Sequence, residues 1–277
     1  FATFTPACAA PANVAATALE AHTASLAWDA GAGISRYQYA CVAKDAEPDW
    51  TAVEPKEGLT AELTGLTAAT AYDFYVRSYF SESVQSEAAK FSFTTNCDTY
   101  TLPFDEKFDA VTLPNCWEVS NSSNGKWAIY EWTDESYDGY SMRFAGKNGY
   151  SATLQSPAFA LNDKAQLTFY WKNSNGISVD LKISKDGGVT KEALENSLSA
   201  AQTTYKQQAI DLSAYAGETV ILYWTATAAS SQRYVYMDEL RIDYAPVAAP
   251  TELAVEPGDG KATVTWECAE EGAAFNL

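Results

Sequence analysis

Residues 1–8 read FATFTPAC and residues 91–97 read FSFTTNC, so one phrase, a Phe/Thr run closing on a cysteine, occurs twice. A second phrase also recurs: AAPANVAATALEAHTASLAWD at 9–29 is echoed by AAPTELAVEPGDGKATVTWE at 248–267. Repeats on this scale constrain architecture before any single residue is considered. They present the chain as a slice from a string of β-modules. Residues 1–8 read as the tail of a preceding module and 9–96 as one module. Residues 97–245 read as a second, different module, and 246–277 as a linker with the first strands of a third, truncated one. Strings of this kind display, space or bind more often than they catalyse.

The 277 residues leave room for about two domains of ordinary size, and 47% hydrophobic content supplies real cores. Aromatic residues make up 13%, and with abundant Thr, Tyr and Val they favour strands over helices. The expectation is an all-β chain with less than about a fifth of its residues helical. A net charge of −18 disfavours nucleic acid, whose binding relies on Lys and Arg neutralising phosphates, and disfavours anionic membrane surfaces. No apolar run approaches the roughly 18–20 residues of a membrane span. There are five cysteines, Cys8, Cys41, Cys97, Cys116 and Cys268, and one histidine, His22. No CxxC or Cys/His cluster occurs, which argues against a zinc site.

Within 9–95, short alternating runs recur every 8–12 residues between turn signals, as a β-sandwich requires. A period of two puts Tyr37, Tyr39 and Cys41 on one face of their strand. The same period puts Tyr72, Phe74, Val76 and Ser78 opposite Tyr75, Arg77 and Tyr79. These residues resemble a fibronectin type III domain. Trp28 matches its core tryptophan, and Leu66, Thr70 and Tyr72 match its tyrosine corner, with Ala68 and Ala69 in place of the usual Pro-Gly. The resemblance implies that the Tyr72 hydroxyl ties the corner to nearby backbone. No Arg-Gly-Asp tripeptide is present. His22 reads as a solvated histidine at a turn with no partner groups. Trp50 is open to two readings, packing over the sandwich edge or exposure for a partner.

The second module does not repeat the first. Its eight or more alternating runs suit a jelly-roll sandwich. One stretch, TKEALENSLSAA at 190–201, reads as helical with Thr190 as N-cap. The phrases Phe108-Asp109, Leu113-Pro-Asn-Cys-Trp117, Trp127, Leu154-Gln-Ser-Pro157, Ala165 to Phe169, Asp211 to Gly217 and Met237-Asp-Glu-Leu240 follow in order. This order resembles the jelly-roll modules called cleaved adhesin or choice-of-anchor J. Those modules occur in secreted and surface proteins of the Bacteroidetes and are distantly like the MAM domains of animal receptors. The fold class expected is therefore all-β, an immunoglobulin-like fibronectin type III sandwich followed by a jelly roll.

The resemblance carries two site expectations. Related sandwiches hold a structural calcium where the first and last strands meet, which implies Asp109, Asp238 and Glu239 as ligands with Glu106 nearby. Phe-Asp in place of Phe-Glu shortens one ligand arm, and the same carboxylates also read as ordinary strand-end groups. Cys97 and Cys116 bracket the entrance of the module, where MAM relatives pair cysteines, and a disulfide between them is expected. Cys8–Cys41 is a further pairing, and free buried thiols are the other reading. The residues themselves mark a third site. YEWTDESYDGY at 130–140 holds more aromatics than the family pattern needs, and its Asp-Gly turn places them at a loop tip. Trp132, Tyr137 and Tyr140 are the expected ligand face for glycan or an extracellular protein; aromatics folded onto the sandwich wall are the alternative.

Catalysis finds little support. A Ser-His-Asp or Cys-His arrangement would have to use His22, which lies in a different module from the candidate nucleophiles, and neither GxSxG nor HExxH occurs. The function expected is a non-catalytic, secreted or cell-surface adhesin-like protein. The alternative is a spacer that positions an enzyme or anchor elsewhere in a longer chain.

Overall fold

The computed structural model describes residues 8–174, 176–195, 198–229, 231–246 and 251–267. Residues 1–7, expected as the tail of an earlier module, and Cys268 lie outside the described residues. The chain divides into two compact units, Phe1–Thr99 and Tyr100–Leu277. The described residues form strands, with two single 3-10 turns at Trp50–Ala52 and Ser213–Tyr215.

The first unit contains β1 (Ala12–Leu19), β2 (Thr23–Asp29), β3 (Arg36–Ala43), β4 (Lys56–Glu57), β5 (Thr60–Thr64), β6 (Ala71–Ser81), β7 (Val84–Gln85) and β8 (Ala89–Thr94). One sheet runs β1-β2-β5. The other runs β4-β3-β6, with β7 and β8 pairing successive stretches of β6. Alternation along β2 buries Ala24, Leu26 and Trp28, which meet Tyr37, Phe74, Val76 and Phe93 from the opposite sheet. The Trp28 ring lies 5.6 Å from Tyr37 and 6.0 Å from Phe74. The Tyr72 hydroxyl accepts the Thr67 N–H at 2.9 Å, so the corner is tied as expected. On the opposite face of β6, the fully buried Asp73 carboxylate accepts from Ser92, the Asp45 N–H, Lys44 and Lys90. Lys90 leads these partners in holding its pKa far below the usual carboxylate range.

His22 departs from the expectation of a partnerless turn residue. Its Nδ1 lies 2.8 Å from the Leu66 carbonyl oxygen and its Nε2 2.9 Å from the Asp98 carboxylate. Both neighbours only accept, so both ring nitrogens must donate, which the imidazolium alone can do. The Leu66 carbonyl and then Asp98 raise the pKa above its ordinary value of 6.5. A raised folded pKa adds stability that is fully present below the unfolded pKa and is lost as pH rises through the folded one. Denaturation midpoints of wild type and His22→Gln should therefore differ at about pH 5.5 and converge near pH 8.5. An equal difference at both pH values would rule out this linkage.

Cys8 and Cys41 are free thiols, so the Cys8–Cys41 pairing does not form. Burial pushes the Cys41 thiol up to about 11 and keeps it unreactive. Cys97 and Cys116 are each disulfide-bonded. A non-reduced digest is expected to yield one peptide joining these two, a bridge worth about 3 kcal/mol for a loop of about twenty residues. Two separate peptides would refute the pairing.

The second unit contains β9 (Tyr100–Thr101), β10 (Phe104–Glu106), β11 (Glu118–Ser120), β12 (Gly125–Tyr130), β13 (Ser141–Gly146), β14 (Ser151–Leu161) and β15 (Ala165–Asn173). It continues with β16 (Ile177–Ser184), β17 (Glu192–Glu195), β18 (Gln202–Asp211), β19 (Glu218–Ala228) and β20 (Arg233–Tyr244). One sheet is ordered β12-β13-β20-β15-β18, with β10 also on β20. The other is ordered β11-β14-β19-β16-β17, with β9 on β14. The two sheets enclose one core. The first contributes Trp127, Met142, Phe144, Phe169, Trp171 and Met237, and the second Leu154, Phe159, Leu181, Leu222 and Trp224.

Pro157 offers no N–H to the ladder of β14, and the register shifts between Gln155 and Ala158. The buried Ser156 hydroxyl takes the Leu222 N–H at 2.9 Å in compensation. The helix expected over 190–201 does not form among the described residues. Glu192–Glu195 pairs instead with β16 as an edge strand, and the Thr190 N–H and hydroxyl both bind Asp186. A sheet edge that needs pairing overrides helix propensity, which is a weak preference.

Two further strands, β21 (Thr251–Gly258) and β22 (Lys261–Glu267), form a hairpin around the turn at Asp259-Gly260. They pair only with each other among the described residues.

Candidate functional site

The outer face of the β12-β13-β20-β15-β18 sheet is built by alternation. Because Trp127, Phe144, Val235, Met237, Phe169 and Trp171 turn inward, their neighbours Tyr130, Arg143, Tyr234, Tyr236, Tyr170 and Lys172 turn outward. Register places Arg143 opposite Tyr236 and Tyr236 opposite Lys172, one line across three strands. The Arg143 guanidinium lies 4.3 Å over the Tyr130 ring and 5.2 Å from the Tyr234 ring. Lys172 lies 4.8 Å over Tyr236 and 5.2 Å over Tyr205. Cations held against ring faces keep these side chains ordered at half-buried positions.

The loop joining β12 to β13, residues 131–140, folds over one end of this face. The β15–β20 register shifts between Thr168 and Tyr170, where Glu239 sits at φ +47, and this bulge aims Asp238 at the loop. Asp238 is fully buried. One carboxylate oxygen accepts the Tyr137 and Asp138 N–H groups at 3.1 Å each, and the other accepts the Glu239 N–H at 2.8 Å. Burial outweighs these donors and pushes its pKa up to about 6. Asp109 accepts the Tyr140 N–H at 3.0 Å. Gly139 has φ +54, and a Cβ there would sit 1.9 Å from an Asp109 oxygen, so only glycine fits the crossing. The Tyr205 hydroxyl donates to the Glu135 carbonyl at 2.9 Å, and Lys172 pairs with the Glu135 carboxylate.

The three aromatics expected as a ligand face fall into different settings. Trp132 is 68% exposed. Tyr137 is exposed on one side only, because its ring stacks at 4.0 Å on Tyr170 and meets Tyr205 edge-on. Tyr140 is half-buried. Trp132 shares a hollow of about 440 Å³ with Ile129, Tyr130, Glu131 and Arg143. Tyr130 and Glu131 lie in the candidate stretch 130–140 but were not among the expected ligand face, and Arg143 was assigned to no site. The available signal was the strand alternation that sends Tyr130 and Arg143 to the same face.

The expected calcium ligands do not make a cage in this arrangement. A hard cation needs several converging oxygens. Asp238 spends both oxygens on backbone N–H groups, Glu239 pairs with Lys107 at 3.0 Å, and Glu106 accepts the Phe108 N–H at 2.7 Å. No group of three acidic, histidine or cysteine side chains suited to a metal occurs among the described residues. The melting temperature is accordingly expected to stay unchanged between millimolar calcium and excess chelator. A rise with calcium would show that the ion draws these side chains together.

Neither a family model nor a curated protein matches the chain. Solved structures do. The K1 cleaved adhesin domain of Lys-gingipain from Porphyromonas gingivalis W83 is 17% identical, with 52% of this chain and 99% of that one covered and a TM-score of 0.42. TmCBM61, solved with β-1,4-galactotriose, is 15% identical over 47% of this chain and 88% of that one, with a TM-score of 0.37. The fibronectin type III domain of human fibronectin type III domain containing protein 3 is 22% identical over 35% and 94%, with a TM-score of 0.28. The chain is built of β-sandwiches. These likenesses concern fold alone.

Proposed function

We infer that the second unit binds glycan without transforming it, as part of a secreted or cell-surface adhesin-like protein. The observation that carries this reading is Trp132, standing two-thirds exposed at a hollow whose other walls are Tyr130, Arg143 and Glu131. An exposed indole in a soluble protein exposes apolar area without internal compensation. A sugar ring has an apolar face that covers such area and a rim of hydroxyls. Glu131 accepts from those hydroxyls and the Arg143 fork donates to them. The loop is fixed by backbone anchors at Asp109 and Asp238, so the site is formed before the ligand arrives, which lowers the ordering cost of binding.

Screening the chain on a glycan array tests this reading. Bound oligosaccharides, lost in Trp132→Ala, are the expected result. An array with no bound glycan would overturn it and favour the spacer function.

A further inference from the structure

We propose that this hollow selects glycans bearing a carboxylate, uronic-acid sugars, and that Arg143 is the residue that reads the acid group. The proposal rests on the glycan-binding reading above and gives it a ligand class.

The chain has 36 acidic residues against 18 basic ones, so a half-buried arginine without an acidic partner is unexpected. Arg143 is such a residue. Its described contacts are the Tyr130 and Tyr234 ring faces and the Tyr236 hydroxyl, and no ion pair reaches it among the described residues. Arg241, by contrast, is paired with Asp105 and Asp243. Arg36 and Arg233 are exposed to solvent, where water satisfies the charge. Lys172, a second cation on this face, already holds Glu135, and Lys126 is exposed to solvent. Arg143 is therefore the cation on this face with donors to spare.

Its surroundings fit one kind of anion. The ring faces fix the guanidinium plane, and a planar carboxylate meets that fork with two parallel bonds. Glu131 and Trp132 share the hollow, so a ligand must also offer hydroxyls and an apolar ring face. A hexuronate carries all three features on one ring. A sulfate ester carries the same single negative charge on a tetrahedral group of three oxygens, which matches the flat fork less well, and is disfavoured.

Arg77 of the first unit is also half-buried and stacks 4.3 Å over Trp50, but its setting is different. Each hollow beside it is lined by two carboxylates, Glu54 and Glu82 or Glu47 and Glu87, against Glu131 alone in the hollow of Arg143, and the Arg77 Nε already donates to Gln38 at 2.8 Å.

The test is a glycan array of uronic-acid oligosaccharides beside their carboxyl-reduced and sulfated counterparts, followed by titration calorimetry of the best ligand. The expected result is a preference of about tenfold or more for the uronate over its reduced form, weakening as salt rises. Arg143→Gln should erase that preference, weakening the uronate far more than the reduced form, and Arg143→Lys should restore part of it. Equal binding of acidic and reduced forms overturns the proposal and leaves the glycan reading standing. Tighter binding of the sulfated form overturns it as well. Absence of any bound glycan overturns both. Should Arg143→Gln fail to fold, the wild-type comparison decides alone.

Discussion

Trp224→Ala is expected to destabilise the second unit by about 3–5 kcal/mol, the usual cost of emptying a core aromatic site. Trp224 is 1% exposed, lies 6.0 Å from Trp117 and 6.3 Å from Phe169, and sits where β19 faces the opposite sheet. Domains of this size have about 5–15 kcal/mol to lose, so the variant forfeits about a fifth of its stability or more. Its melting temperature should fall by roughly 6–20 °C. Phenylalanine gives a sharper comparison. The Trp224 indole N–H finds no acceptor among the described residues, whereas that of Trp127 donates to the Ala152 carbonyl at 3.1 Å. Removing a buried donor that is unpaired recovers part of the loss, and removing a paired one adds to it. Trp224→Phe should therefore cost less than Trp127→Phe. Equal or reversed losses in urea titrations would show that the indole N–H groups do not differ in this way.

Trp132→Ala is expected to weaken glycan binding by about 2 kcal/mol or more, roughly thirtyfold, while leaving the melting temperature within about a degree of wild type. Two-thirds of the side chain is exposed, so little packing is lost in the free protein, while the stacking surface is lost entirely. Calorimetry and a thermal melt on the same preparation separate the two effects. A large drop in melting temperature would mean that the indole packs on the sheet. Unchanged affinity would mean that the hollow is not where sugar binds.

Strand alternation made most of the fold legible. The expected run from Ala165 to Phe169 opens the strand Ala165–Asn173, because AQLTFYWKN alternates without interruption. Trp28, Tyr72 and Trp127 occupy the positions their patterns implied. The failures share a cause in tertiary partners that lie far apart in sequence. Glu192–Glu195 has helical composition, yet it is claimed by the free edge of β16. His22 looked solitary because its partners, Leu66 and Asp98, lie 44 and 76 positions away. The aromatic loop was visible as a surplus of rings, but its surroundings were not. Tyr137 finds Tyr170 and Tyr205 from β15 and β18, and Trp132 shares its hollow with Arg143 from β13. A period of two shows which way Arg143 points. It does not show that no carboxylate among the described residues forms an ion pair with it there.

Asp238 holds the 131–140 loop through the N–H groups of Tyr137 and Asp138, and Asp109 holds it through that of Tyr140. Every amino acid except proline carries that group. The anchorage therefore places few demands on side-chain identity at the tip, apart from the glycine at 139. Related chains can diversify positions 131–135 for new ligands while keeping Asp109, Asp238 and Gly139 unchanged, much as antibody loops vary on a constant framework. A display library randomised at those five positions should yield mostly folded members, and its binders should differ in ligand rather than in stability.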